Sequence, residues 1–236
     1  MFVITDKKIN KDSLSVLNSL GFEPILLPPA DYLAEGVSGH TDMLIFMGFG
    51  RLFCHSRYYQ HNSDMIDRIC AISHSKLTLS DEQTGEKYPF DVLFNACIVG
   101  KALICNRKTV SKLIIDAAIE NEYDIIHVPQ GYAKCSVCSV SDDAIITSDK
   151  AIALACRDKL DVLVISEGYI SLPPYNYGFI GGVSGSFGDT VYFCGSLDTH
   201  PDGEKIKEFC AKHKKIALSL SAGELQDVGS LFFGEV

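Results

Sequence analysis

Apolar positions along the chain fall into short blocks, two close together, then a stretch with helical spacing, then one more block. The clearest unit is residues 92–128, "VLFNACIVGKALICNRKTVSKLIIDAAIENEYDIIHV". It reads as strand, tight turn, strand "KALICN", helix and strand "DIIHV". Thr109 is placed to cap the helix, and Val110, Leu113, Ile114, Ala117 and Ala118 share one face. Residues 135–166 repeat the order, with an Asp142-Asp143 turn, strand "AIITS", a Ser148-capped helix and strand "DVLVIS". A third copy occupies 179–219, its helix marked by Ile206, Phe209 and Cys210, and a degenerate one fills 42–79.

Two loose ends remain. The stretch "QDVGSLFFGEV" offers a first strand with nothing after it, and the opening residues offer what is missing. These are strand "MFVIT", a helix with Leu14, Val16, Leu17 and Leu20 stopped by Gly21, and strand "EPILLP". Joined, they make a fifth unit. The expectation is an α/β five-bladed propeller with pseudo-fivefold symmetry, one domain over residues 1–236, its last blade closed by both chain ends. The same β-β-α-β units also suit an open α/β sheet. "GFIGGVSGSFGD" leads into a strand, "TVYFC", and so is not a nucleotide-binding loop opening a helix.

Composition narrows the functions. With Lys+Arg 21 against Asp+Glu 30 the net charge is −9, and no basic run occurs, which argues against nucleic-acid binding. No apolar stretch approaches the ~18 residues of a membrane span, and "MFVITDKKINK" lacks the pattern of a secretory signal. The nine cysteines lie mostly inside apolar runs, as small hydrophobes do. Cys135 and Cys138 form C-x-x-C in a segment that reads as a strand, where three steps of ~3.3 Å hold them too far apart for a disulfide. No second pair supports a metal site, so a reduced cytoplasmic protein is expected.

The candidate chemistry begins at "GHTDMLIF", where strand alternation places His40 and Asp42 on one face. In "KCSVCSV", Cys135 opens its strand, and Lys134 points to the opposite face. Tyr175, Tyr177, Gly181 and Gly182 in "YNYGFIGGVSG" suit a ligand loop, with rings for stacking and glycines for close backbone approach; a wide loop with glycine turns is the plainer alternative. "THPDGEK" at 199–205 reads as a helix start, with Thr199 near the cap and Pro201 in the first turn.

The repeat pattern, together with "HTDM" (40–43), "QGYAKC" (130–135), "YNYGFIGG" (175–182) and "DVGS" (227–230), resembles an uncharacterised branch of the pentein superfamily, the fold of guanidino-group modifying enzymes. The resemblance spans essentially the whole chain. It implies a central pore lined by the first strands of the blades, a nucleophilic Cys, a His from an H-x-D strand, and carboxylates gripping a guanidinium. It implies Cys135 as nucleophile, with Cys97 in "FNACIVG" as the alternative, His40 as proton shuttle, and Asp42 orienting His40 or substrate, with no metal or organic cofactor. Relatives carry acids around a Gly-Gly strand; here Ile180 and Val183 stand in those places, leaving Asp91 or Asp227 to compensate. Two functions follow. One is a cysteine-dependent hydrolase or transferase acting on a guanidine- or amidine-like small molecule in the pore. The other is a non-catalytic member binding a small molecule or a protein, for which the superfamily offers a precedent in a ribosome anti-association factor. The oligomeric state stays open.

Overall fold

The computed structural model describes residues 1–235. Sheet I begins with β1 (Phe2–Asp6), followed by α1 (Lys11–Ser19) and β2 (Glu23–Leu27). A one-turn helix, α2 (Thr41–Leu44), leads into sheet II: β3 (Ile45–Gly48), β4 (Arg51–His55), α3 (Ser56–Ile72) and β5 (Lys76–Ser80). Sheet III is β6 (Cys97–Val99), β7 (Ala102–Cys105), α4 (Lys112–Glu120) and β8 (Asp124–His127). A second single turn, α5 (Ala133–Ser136), precedes sheet IV: β9 (Cys138–Ser141), β10 (Ala144–Thr147), α6 (Lys150–Cys156) and β11 (Asp161–Val164). Sheet V is β12 (Ser184–Phe187), β13 (Thr190–Phe193), α7 (Gly203–Lys212) and β14 (Ile216–Ser219), and β15 (Phe232–Gly234) returns to sheet I.

Each sheet has three strands and, counting β15 as the first strand of sheet I, the first is antiparallel to the second and the second parallel to the third. The parallel pair needs a crossover, which is why a helix sits between the second and third strands. The middle strands are buried along nearly their whole length, matching their unbroken apolar runs. β15 pairs with β1 in the register Phe2 to Gly234 and Ile4 to Phe232, so the two ends of the chain share one sheet as the pattern requires.

Five hydrophobic clusters hold the described residues together, four joining sheets that neighbour in sequence and the fifth joining sheet V to sheet I. Ile4 and Leu27 meet Leu52 and Ile69; Phe46 and Phe53 meet Leu103 and Ile114; Ile104 meets Ile145 and Ile152. Ile146 meets Phe193 and Ile206, and the fifth cluster takes Tyr192 of sheet V back to Val3 and Leu17 of sheet I. Burying one such large side chain stabilises by roughly 1.5–3 kcal/mol, so parting any junction is strongly opposed.

Helix starts fall one to a few residues later than the sequence pattern suggests. Ser111, not Thr109, caps α4, and Asp149, not Ser148, caps α6 by accepting from the amides of Ala151 and Ile152. Thr199 ends a short 3-10 turn, Leu197–Thr199, and Pro201 lies in the link before α7. No helix among the described residues is long and apolar enough to cross a membrane.

Candidate active site

The chain makes a turn just before the first strand of each sheet, and these five turns converge. Two are the helical turns α2 and α5; the others lie around Asn95, around Gly182 and at 227–230. Hydrogen bonds join each to the next. Asn95 Nδ2 donates to the Asp42 carbonyl at 3.3 Å, and Asn95 Oδ1 accepts from the amides of Lys134 at 2.7 Å and Cys135 at 3.2 Å. Gly182 N donates to Cys135 O at 2.9 Å, and Gly182 O accepts from the amides of Val228 and Ser230. Asp42 N then donates to Gly229 O at 3.0 Å, returning the circuit to its start.

On one side of these turns lies a cavity of about 270 Å³ that brings together His40, Cys135 and Asp227 beneath Tyr132, Tyr177 and Phe179. His40 Nδ1 lies 3.8 Å from Asp227 Oδ1, a close approach longer than a hydrogen bond. Asp227 is held by the amides of Phe179 at 2.8 Å and Gly229 at 3.0 Å. Asn95 Nδ2 also reaches Cys135 Sγ at 3.0 Å. Two glycines make this packing possible. A Cβ on Gly182 would sit 2.0 Å from Asp227 Oδ1, and one on Gly229, whose φ is +67°, would sit 2.2 Å from the Cβ of His40.

Burial governs the charge states. It drives the Cys135 thiol well above its ordinary pKa, and the Asp42 and Asp227 carboxylates add to the effect against the Asn95 amide. It lowers His40, although Asp42 and Asp6 pull the other way. Burial raises Asp42, with Asp227 adding and His40, Lys134 and Ser230 opposing. Asp227 is raised to about 6, again by burial first. At neutral pH the floor of the cavity therefore holds a protonated thiol, a neutral imidazole and a carboxylate.

A second cavity of about 240 Å³ lies on the other side and is lined by the first strands of all five sheets, among them Phe46, Ile98, Ser139, Ser186 and Phe233. Cys97 and Lys134 open here. Lys134 Nζ donates to Ser230 Oγ at 2.9 Å, and Ser230 Oγ donates to Asp42 Oδ2 at 2.7 Å.

Several expected residues thus share the first cavity: His40, Cys135, Tyr175, Tyr177 and Asp227. Others do not line it. Asp42 lies behind the cavity floor, fully buried, its Oδ1 without a hydrogen-bond partner. Asp91 stands one layer back, accepting a hydrogen bond from the Tyr132 hydroxyl. Gly181 and Gly182 give room rather than contact, and Cys97 faces the other cavity. The strand expected for H-x-D is instead the start of α2, with His40 as its N-cap residue, and Cys135 sits in α5 rather than opening β9. A single helical turn lacks the length for a periodic signal, so apolar "TDMLIF" and "KCSVCSV" read as unbroken strands. Cys135 and Cys138 are free thiols. Asn95 was not singled out by its sequence. It sits in an apolar run, and only alignment of the five turns against one another picks it out as the counterpart of Asp42 and Cys135.

The family profile described as "Family of unknown function (DUF6873)" matches residues 4–232. No curated protein matches the chain by sequence. Among solved structures, DDAH from Pseudomonas aeruginosa, a cysteine-to-serine mutant complexed with citrulline, aligns at a TM-score of 0.61 and 8% identity, over 93% of this chain and 91% of its own. A dimethylarginine dimethylaminohydrolase, a histidine-to-glycine mutant held as its adduct with S-methyl-L-thiocitrulline, aligns at 0.57 and 8% identity over 93% and 92%. SxtG, an amidinotransferase from Microseira wollei in the saxitoxin biosynthetic pathway, aligns at 0.57 and 9% identity over 98% and 93%. At such identities what is shared is the fold, that of the pentein superfamily.

Proposed function

The chain belongs to this family of unknown function, and on its pentein-type α/β fold we propose a cysteine-dependent hydrolase or transferase acting on a guanidine- or amidine-like small molecule. In this reading the five sheets are the blades of a closed propeller, and the ligand enters the pore from the His40 side. The observation that carries it is the single cavity lined by His40, Cys135 and Asp227. Nine free thiols suit a reducing compartment, the cytoplasm.

The chemistry follows from the charge states. A cationic group entering beside Asp227 supplies the positive charge that the buried thiol lacks, and so favours the thiolate. Cys135 Sγ attacks the amidine carbon, forming a C–S bond, while its proton passes to neutral His40. The C–N bond then breaks, and the protonated His40 returns the proton to the leaving amine. Water, or an acceptor amine in a transferase, attacks the remaining amidino-thioether and restores the thiol. Asp227 holds the cation, and Asp42 acts from behind by its charge on Cys135 and His40.

The test is labelling by 2-chloroacetamidine, whose CH2 carbon takes the sulfur and loses chloride. The expected result is one adduct, mapped by mass spectrometry to Cys135, formed faster than with neutral iodoacetamide despite the raised thiol pKa. Equal, slow labelling of several thiols by both reagents would remove the catalytic reading. The burial of Cys135 favours one alternative, a non-catalytic binder of the same cation. It is distinguished by saturable ligand binding with no adduct.

A further inference from the structure

Resting on the reading of this cavity as a cation site, we infer that it selects a singly charged, flat amidinium or guanidinium bearing an apolar substituent, and turns away guanidines that carry an α-amino-acid head.

The walls decide this. Among the described residues that line the cavity there is no Lys or Arg, and the one acid is Asp227. The nearby ammonium groups are engaged elsewhere: Lys134 with Ser230, facing the other cavity, and Lys8 with the Glu35 carbonyl at 2.6 Å. His40 is kept neutral by burial and offers no fixed positive charge. Two of the three lining tyrosine hydroxyls are also engaged, which leaves Tyr175, half exposed at the mouth, and the Asn176 amide as neutral donors without a charge to offer. Tyr132 donates to Asp91, and Tyr177 donates to Glu167 at 3.4 Å. Neither has a proton left for a ligand carboxylate. Glu167 adds a negative charge behind Tyr177, so a carboxylate head meets repulsion there as well as at Asp227.

What the cavity offers is aromatic and aliphatic surface. Tyr132 and Phe179 lie nearly parallel, 21° apart with centroids at 6.3 Å, and Leu172, Val37 and Met43 complete the wall. A flat cation gains from the ring faces and from Asp227 together, and its apolar tail gains from the aliphatic side. An amino-acid head would instead leave a carboxylate desolvated with no cationic partner in the wall. The DDAH structure, by contrast, is complexed with citrulline, itself an amino acid.

Calorimetric titration of the full-length protein with phenylguanidine, its neutral counterpart phenylurea, and L-arginine tests the selection, with the ligands checked afterwards for turnover. Phenylguanidine is expected to bind at least ~30-fold more tightly than arginine and at least ~10-fold more tightly than phenylurea. Tyr175 is half exposed at the cavity mouth, so Tyr175→Arg introduces the missing cation with little disturbance; it is expected to narrow the gap between phenylguanidine and arginine by ~10-fold. Arginine binding within threefold of phenylguanidine, phenylurea binding as well as phenylguanidine, or no binding of phenylguanidine at millimolar concentration would each overturn the inference. If Cys135 forms no adduct while this ranking holds, catalysis falls and the selection stands. An adduct accompanied by preferred arginine binding overturns the selection alone.

Discussion

The two cavities that flank the five turns are built from the same repeats and carry opposite chemistry. One is floored by Asp227, His40 and Cys135 under aromatic rings; the other holds the Lys134 ammonium and the Cys97 thiol among Phe46, Phe232 and Phe233. Lys134 and Cys135 are adjacent in sequence, yet each opens on a different cavity. In a helical turn successive side chains diverge by ~100°, so α5 serves both sides at once. Burial raises both thiols, but only Cys135 shares its cavity with an imidazole and a carboxylate. The environment of each turn, more than the fold, assigns the roles.

The sharpest way to break this contrast is to exchange the thiols. Cys135→Ser should abolish labelling by chloroacetamidine, whereas Cys97→Ser should leave its rate within about twofold, read by intact-mass spectrometry. The reverse pattern would move the chemistry to the other cavity.

The next effect is thermodynamic. Asp227 has a folded pKa raised to about 6, so the folded state holds its proton more tightly than the unfolded chain does. Its contribution to stability is greatest below about pH 4 and is lost as pH rises through about 6. Asp227→Asn should remove this slope. The stability difference between variant and wild type, from urea melts, should shift toward the variant by up to ~3 kcal/mol between pH 4 and pH 7. A parallel pair of pH curves would show that Asp227 is not shifted.

Asn95→Ala strips the acceptor from two backbone amides and the amide from Cys135 Sγ, and should destabilise by ~2 kcal/mol in the same melts. A change within ~0.5 kcal/mol would mean that water takes over its role. The smallest effect belongs to the far side. Lys134→Met removes a cation that acts on Asp42 and Asp227 across the turns, and should move the pH midpoint of phenylguanidine binding upward by less than about one pH unit. No movement would mean that the two cavities are electrically independent.

The repeats were legible because alternating and helical spacing recur in "KALICN", "AIITS" and the helices that follow them, and because the unpaired ends complement one another. His40, Cys135 and Asp227 were legible as motif residues, though not their conformation, since one turn of helix inside an apolar run leaves no period to read. The second cavity lies where a pore between the first strands was expected, but which chemistry-bearing side chains open on it was not legible. That depends on which way Lys134 and Cys97 turn, a matter of local dihedral angles rather than of residue type. Asp227, one of the two acids offered in place of Ile180 and Val183, lines the cavity through the space that Gly182 leaves open, whereas Asp91 does not line it.

The pairing of β15 with β1 also sets an order of assembly. During synthesis the turn bearing Asp227 and Ser230 is the last of the five to leave the ribosome, and the strand after it docks on β1, made long before it. Until then a nascent polypeptide carries the Cys135 thiol and the His40 ring but not Asp227. The candidate site is therefore completed late, when translation reaches the residues that bring Asp227 and β15.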